Sequence, residues 1–280
     1  MLYQKPIFIV GVEHSATTIL YRMLAKHPNL AWFSQYSLRK GEIPRRKKFP
    51  FSSLVKRTGR HVFGVPWHKN LKGLKSLMPA PMEYDILDYL LPDYKLFSNA
   101  KDYTNDIANR IKRIIETECK GWKKERVLIK RPALSRSVLL LNEIFPNGKF
   151  IHIIRDGKVV SLSIMAKFAK SPFGTSVALK QSCEYWKKII LYLEDCEQKM
   201  KHNFKKISYE DLCADVNGTI KKVLEFCDLP KSEFPMYQLP SSLLSTNKNW
   251  FSKCKYKDKL LINNLLDKTL IQSGYYPFKL

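Results

Sequence analysis

The sequence lacks the cysteine and hydrophobic patterns that mark secreted, zinc-binding or membrane-spanning proteins. Its six cysteines include no C-x-x-C pair and no Cys/His set with zinc-ligand spacing. Scattered thiols of this kind are typical of a reducing compartment. No apolar run approaches the roughly 20 residues of a transmembrane helix. The first run, residues 7–12, is too short and too weakly flanked for a signal peptide. We therefore expect a cytoplasmic protein.

Acidic residues are also scarce. The chain has 25 Asp plus Glu against 49 Lys plus Arg, which gives a formal net charge of +24. Such a surface attracts polyanions, among them nucleotides, acidic acceptors, nucleic acid and anionic lipid. A lysine-rich background with no specific partner is the alternative interpretation. The sequence has no helix-turn-helix signature, zinc spacing or aromatic RNP-like strand, so nucleic acid is not favoured. Peripheral contact with a membrane surface stays open.

The segment after the first predicted strand has the pattern of an anion site. Residues 7–10 are apolar and end at Gly11, and Ser15, Thr17 and Thr18 then precede an apolar-periodic helix. A strand, a tight turn and a helix N-terminus direct backbone N–H groups and the helix dipole at one point. The Walker pattern is missing, because Ala16 and Thr17 stand where its second glycine and lysine belong. A turn without a ligand is the alternative.

A second segment has the same organisation. Residues 149–154 form an apolar strand, Arg155 follows at its carboxyl end, and Ser163 lies eight residues later in the next predicted helix. The guanidinium fork and the hydroxyl are suited to hold one phosphate between them. A surface ion pair between Arg155 and Asp156 at the turn is the alternative.

Together these segments resemble sulfotransferases that use 3′-phosphoadenylyl sulfate (PAPS). The family's first motif is roughly G-x-P-[RK]-S-G-T-T, and its second is R-[DN]-x-[KR]-x-x-x-x-S after a strand. Further likeness extends over four segments of this chain: residues 24–30, 129–132, 138–146 and the Y-E-D-L run 209–212. The motifs occur in the family's order, but residues 31–126 and the C-terminal part resemble it only weakly.

Alternating strands and helices predict a three-layer α/β fold, with a central parallel sheet flanked by helices and its binding crevice at the carboxyl ends of the strands. We expect one domain over residues 1–280, with a mostly helical variable insertion at about 35–126. The insertion is where an acceptor pocket is expected. Six aromatic residues are candidates to line that pocket, although such residues more often belong to the core: Trp32, Phe33, Tyr36, Trp67, Tyr84 and Tyr89.

The resemblance implies transfer of a sulfuryl group from PAPS to a hydroxyl or amine, without a metal, releasing adenosine 3′,5′-bisphosphate (PAP). It implies that the first loop binds the 5′-phosphosulfate and that Arg155 and Ser163 bind the 3′-phosphate. Tyr209 matches an adenine contact, Lys130 a lysine beside the sulfuryl group, and Lys248 lies where the last cofactor loop is expected. The nucleotide residues expected in full are His14, Ser15, Ala16, Thr17, Thr18, Arg155, Ser163, Tyr209 and Lys248.

The general base is harder to assign. Proline occupies position 132, where one branch of the family has its histidine base, so the base must come from elsewhere. The variable region offers Glu83, His68 and Glu42, of which we select Glu83. The acceptor itself, whether small molecule, carbohydrate, lipid or protein, is not encoded in a recognisable pattern.

Three residues of the first loop depart from the family pattern. Glu13 replaces proline, His14 replaces a permanent cation, and Ala16 replaces glycine. A carboxylate facing the loop would repel an anion, and alanine is tolerable there if its φ stays below zero. An imidazolium at His14 would still supply charge beside a polyanion. A degenerate member that binds a nucleotide or a partner without turnover is therefore the second hypothesis.

Overall fold

The computed structural model describes residues 5–33, 105–168 and 175–279. Most of the predicted insertion lies outside these residues, and with it Tyr36, Glu42, Trp67, His68, Glu83, Tyr84 and Tyr89. The single-domain organisation therefore stays a prediction. The end of the insertion is a helix, as expected. Ile111 and Ile115 are buried on one of its faces, and Ile114 packs against the same core.

The centre of the fold is a parallel sheet of five strands in the order β2–β3–β1–β4–β5. The strands are β1 (Ile7–Val10), β2 (Leu30–Trp32), β3 (Arg126–Lys130), β4 (Lys149–Ile154) and β5 (Phe204–Ser208). All four residues of β1 are buried, as are the last five of β4. Because successive side chains point to opposite faces, this burial means that both faces of the central strands are covered.

Helices supply that cover. They are α1 (Thr17–Leu24), α2 (Asn105–Trp122), α3 (Val138–Ile144), α4 (Gly157–Phe168), α5 (Thr175–Lys199), α6 (Tyr209–Ala214), α7 (Val216–Phe226), α8 (Asn247–Phe251) and α9 (Tyr256–Gln272). Short 3₁₀ turns lie at Pro132–Arg136, Lys231–Glu233 and Met236–Gln238. Helices α1 and α2 contact the β1–β3 part of the sheet, whereas α5 and α6 contact β5. The predicted α/β fold is confirmed.

The order of the strands determines where a ligand crevice opens. The chain leaves β1 toward β2 and β3 on one side, and it later returns to β4 on the other side of β1. The loops after β1 and β4 therefore diverge above the sheet, which is the position where open α/β sheets bind ligands. Both predicted anion segments follow these two strands.

The turn after α1 is held by His27. Its buried ring accepts the Asn29 N–H at Nδ1 (3.1 Å), so Nε2 carries the proton and contacts the Pro230 carbonyl oxygen at 3.1 Å. The turn that starts β2 is thus tied to the segment after α7.

The cysteines are buried thiols, as their scattered positions in the sequence indicate. All six are free. Within residues 5–33, 105–168 and 175–279, no helix has the length and apolar content needed to cross a bilayer.

Candidate functional site

The loop after β1 passes close to β4 at Gly11. A Cβ placed on this glycine would lie 2.5 Å from the Ile153 carbonyl oxygen, and its φ is 148°. No side chain fits that contact. Ser135, in the 3₁₀ turn after β3, holds the other side: its Oγ accepts the Gly11 N–H at 2.8 Å and donates to the Gly11 carbonyl at 3.0 Å. The loop therefore starts from a position defined by both neighbouring strands.

Two residues of this loop have left-handed backbone conformations. His14 has φ 68° and Ala16 has φ 67° with ψ 18°. The condition under which alanine is tolerated here without strain, a φ below zero, is not met: the tight turn into α1 has the conformation that glycine adopts freely. A left-handed alanine costs roughly 1–2 kcal/mol. Strain of this kind concentrates at functional sites, where the surrounding structure maintains it.

Hydrogen-bond donors converge where the loop enters α1. Thr17 and Thr18 are the first two residues of the helix, and no side chain caps its N-terminus. Ser15 is 1% exposed, and its Oγ has no hydrogen-bond partner among the described residues. A buried hydroxyl and uncapped helix N–H groups favour an anion at this point.

Arg155 follows β4 and is held in place by several groups. It is 7% exposed, and it donates from Nε to Asn247 Oδ1 (3.0 Å), from Nη2 to Thr246 Oγ1 (2.8 Å) and from Nη1 to the His14 carbonyl (2.9 Å). Its guanidinium lies 4.2 Å from the centre of the Tyr209 ring. The alternative of an Arg155–Asp156 ion pair is not what the structure shows, because Asp156 pairs with Lys158 at 3.3 Å.

His14 joins the two loops. Its Nδ1 lies 3.0 Å from the hydroxyl of Ser163 on α4, while its carbonyl binds Arg155. Partial burial lowers the pKa of His14, and the positive charges of Lys167 and Arg155 lower it further. Glu13 acts in the opposite direction. The ring therefore favours its neutral form in the absence of a bound anion.

Glu13 is engaged by a neighbouring helix. Its Oε2 accepts a hydrogen bond from the hydroxyl of Tyr185 on α5 at 2.7 Å, and Arg136 donates to that hydroxyl at 2.9 Å. Burial and the adjacent Glu13 carboxylate raise the pKa of Tyr185, so its hydroxyl stays a donor. The Glu13 carboxylate is thereby linked to a hydroxyl and, through it, to a guanidinium.

The two predicted lysines occupy different environments. Lys130 is 2% exposed at the end of β3, in register with Ile9 of β1. Lys248 is exposed on α8. The segment around Lys248 does lie at the site, but its contacts to Arg155 come from Thr246 and Asn247. Sequence reasoning missed these two residues because neither glycine nor positive charge marks them.

No described group of three or more His, Cys, Asp or Glu side chains is arranged to hold a metal ion. The arrangement is instead a cationic and N–H-rich crevice between β1 and β4, with an aromatic ring beneath its arginine. Such a site is suited to a phosphorylated ligand with two anionic groups, one at each loop.

Comparison with known proteins agrees with a site of this kind for a phosphorylated ligand. A sequence model described as "Sulfotransferase family" matches residues 6–233, and the chain belongs to that family. Protein-tyrosine sulfotransferase A of Caenorhabditis elegans is 24% identical over 225 residues. That alignment covers 80% of this chain, and the chain spans 50% of the length of that relative.

Solved structures share the fold. Sulfotransferase STF9 from Mycobacterium avium superimposes with a TM-score of 0.65 at 12% identity, covering 98% of this chain and 78% of that one. Mouse sulfotransferase SULT7A1, solved in complex with PAP, gives a TM-score of 0.51 at 13% identity, with 97% and 85% coverage. At these identities the likeness establishes the architecture.

Proposed function

We propose that this protein is a PAPS-dependent sulfotransferase that transfers the sulfuryl group to a hydroxyl or amine acceptor. In this proposal His14, Ser15, Ala16, Thr17 and Thr18 surround the 5′-phosphosulfate. Arg155 and Ser163 bind the 3′-phosphate, Tyr209 contacts the adenine, and Lys248 lies near the last part of the nucleotide. Family membership and the crevice between the two loops support it.

The observation that carries the proposal is the contact between the two anion loops. Arg155 donates to the His14 carbonyl at 2.9 Å, and Ser163 lies 3.0 Å from the His14 ring. PAPS has anionic groups on both sides of one ribose, so its binding requires two such loops within a few ångströms of each other. The buried Ser15 hydroxyl and the uncapped start of α1 are further donors that fit it.

PAPS supplies an activated sulfuryl group. The acceptor atom forms a bond to sulfur as the bond from sulfur to the 5′-phosphate oxygen breaks, and the acceptor proton passes to a base. The N–H groups at the start of α1, the Ser15 hydroxyl and an imidazolium at His14 would stabilise charge growing on the departing oxygen. Lys130 is proposed to contact the sulfuryl group. Glu83 stays the candidate base from the insertion, and no metal is invoked.

The acceptor is proposed from chemistry and from relatives. The C. elegans relative is named a protein-tyrosine sulfotransferase, so a tyrosine hydroxyl is the first acceptor to test. A net charge of +24 favours acceptors with acidic surroundings. Peptides with one tyrosine and either acidic or neutral flanking residues separate these two ideas in a turnover assay with labelled PAPS.

A family member that binds nucleotide without turnover is the second candidate. The left-handed Ala16 and the absence of a permanent cation at position 14 are the observations that favour it. It predicts tight PAP binding together with no transfer to any acceptor class, including hydroxyl and amine compounds.

The test of the nucleotide site is the affinity for PAP against AMP, which lacks the 3′-phosphate. The wild type should prefer PAP, and Arg155→Ala should weaken PAP about tenfold or more while changing AMP much less. A charge-assisted hydrogen bond contributes roughly 1.5–3 kcal/mol, which supports that magnitude. Lys205→Ala is the control: this lysine is exposed at the start of β5, at the opposite end of the sheet from the crevice, and its loss should leave the PAP-to-AMP ratio unchanged. Equal affinity of the wild type for both nucleotides would contradict the proposal.

A further inference from the structure

A chain of side-chain hydrogen bonds connects Arg155 to the C-terminal tail. Asn247 binds Arg155 through Oδ1 at 3.0 Å and donates from Nδ2 to Glu210 Oε1 at 2.7 Å. The other carboxylate oxygen, Glu210 Oε2, accepts a hydrogen bond from the Tyr275 hydroxyl at 2.7 Å. We call Tyr275, Glu210 and Asn247 the tail relay. Asn247 and Tyr275 lie beyond residues 6–233, which the family model matches.

The chemistry of the relay determines which atom faces Arg155. Both carboxylate oxygens of Glu210 accept hydrogen bonds, so the amide nitrogen of Asn247, which donates, must face Glu210. The amide oxygen of Asn247 is then turned to Arg155, where it accepts the Nε–H. Asn247 is 8% exposed and Arg155 is 7% exposed. A reversed amide would therefore leave a buried N–H group facing a guanidinium, with the cost of an unsatisfied polar group.

The guanidinium orientation follows from this contact. The Nε–H donates to Asn247, and the guanidinium carbon lies 4.2 Å from the centre of the Tyr209 ring. Nη1 donates one N–H to the His14 carbonyl, and Nη2 donates one to the Thr246 hydroxyl. A guanidinium has five N–H groups, so one N–H remains on each terminal nitrogen. In the proposed complex, these two N–H groups donate to the 3′-phosphate.

The tail that carries Tyr275 is anchored by hydrogen bonds to the residues that follow it. Asn263 of α9 exchanges two hydrogen bonds with the backbone of Phe278, each 2.8 Å long. Lys158, next to the β4 loop, donates to the Tyr276 carbonyl. Burial and the neighbouring Glu210 raise the pKa of Tyr275, so its hydroxyl stays protonated and keeps donating.

We propose that Tyr275, acting through Glu210 and Asn247, is a positioning residue that sets the Arg155 fork for the 3′-phosphate and so determines preference for 3′-phosphorylated nucleotides. This inference rests on the proposed function. The C-terminal tail is then part of the nucleotide specificity of the site, and it also contacts the second motif, where Lys158 donates to the Tyr276 carbonyl.

The experiment measures dissociation constants for PAP and AMP by calorimetry. Tyr275→Phe removes one hydroxyl and should lower the PAP preference over AMP by about threefold to tenfold, as expected for one lost hydrogen bond. AMP affinity should stay near the wild-type value. The matched control is Tyr276→Phe, because Tyr276 is 81% exposed and contacts Lys158 through its carbonyl. It should leave the PAP-to-AMP ratio unchanged.

A double-mutant cycle separates positioning from a general structural role. In an Arg155→Ala background, Tyr275→Phe should cause no further loss of PAP preference, because the relay acts through the arginine. A wild-type ratio in Tyr275→Phe, or an equal additional loss in the Arg155→Ala background, would overturn the inference. If Tyr275→Phe does not fold, Glu210→Gln keeps the side-chain size and is judged by the same two outcomes. A wild type without PAP preference would instead overturn the proposed function, and this inference with it.

Discussion

Residues 13–16 differ from the family pattern at three positions, and each has a specific environment in the folded chain. Glu13 is held by Tyr185, His14 bridges to Ser163, and Ala16 takes a left-handed backbone conformation. None of these arrangements closes the start of α1 with a capping side chain. Compared with the family pattern, the loop therefore keeps the N–H and hydroxyl donors of an anion site, but its charge differs and its backbone is strained at Ala16.

Ala16→Gly should stabilise the protein. The left-handed conformation costs alanine roughly 1–2 kcal/mol, and the greater freedom of glycine in the unfolded chain returns about 0.4–1 kcal/mol of that. We expect the free energy of unfolding in urea to rise by about 0.5–1 kcal/mol. Ala25→Gly is the matched control, because Ala25 has φ −61° at the end of α1 and should lose stability. Destabilisation by both changes would show that position 16 is unstrained.

His14 should give turnover a descending limb as pH rises. Burial, Lys167 and Arg155 lower the pKa of His14 in the free protein, and bound anionic groups would raise it. The bound complex thus takes up a proton, and the cation is lost as pH rises through the bound-state pKa. We expect the rate to fall across that range, and we expect His14→Arg to flatten the fall. Measuring turnover of labelled PAPS against pH provides the check.

His14→Gln is the neutral control for that experiment. It should lower the rate at low pH, where the imidazolium acts, and it should have less effect at high pH. A wild-type profile in His14→Gln would assign the leaving-group charge to another cation, for which Lys130 is the candidate.

At the scale of elements, the turn from β4 into α4 depends on its contact with α5. A Cβ on Gly157 would lie 2.7 Å from the ring of Trp186, which is fully buried on α5. If a methyl group is added at Gly157, either the Trp186 ring or the start of α4 must move. This packing holds the N-terminus of α4, and therefore Arg155 and Ser163 on either side of it.

Gly157→Ala should destabilise the protein by about 1–3 kcal/mol through overpacking, and it should weaken PAP binding because α4 must shift. Gly121→Ala provides the contrast, since no atom lies within 4 Å of a Cβ placed there in α2. That change should be neutral or stabilising by up to about 1 kcal/mol. Urea unfolding of both variants measures the difference, and equal effects would contradict the packing argument.

At the scale of the whole molecule, the excess of Lys and Arg over Asp and Glu attracts anionic ligands such as nucleotides. With a net charge of +24, nucleotide affinity should fall as salt screens the field. We expect the dissociation constant of PAP to rise severalfold between about 0.05 M and 0.5 M NaCl.

The rate of sulfuryl transfer measured in EDTA should equal the rate measured without it. Loss of activity in EDTA that magnesium restores would show that a metal is required.

Much of the architecture was predictable because it depends on local chemistry. Apolar runs at residues 7–10 and 149–154 predicted buried parallel strands, and Ser15, Thr17, Arg155 and Ser163 marked anion loops after them. Hydrophobic periodicity and hydrogen-bonding residue types are properties of a short segment, so they are visible without the fold. The resemblance to sulfotransferases rested on the same short segments.

Other features depend on contacts between segments that are far apart in the sequence. The contacts of Arg155 with Thr246 and Asn247, and of Glu210 with Tyr275, join residues far apart in the chain. The close approach of Gly11 to the Ile153 carbonyl also joins distant segments, and the left-handed φ of Ala16 is not what its residue type favours. The sequence by itself determined the strands, the positions of the two loops proposed to bind anions, and the family. The tertiary structure alone decided how the arginine is oriented, because orientation depends on partners that side-chain type and spacing do not encode.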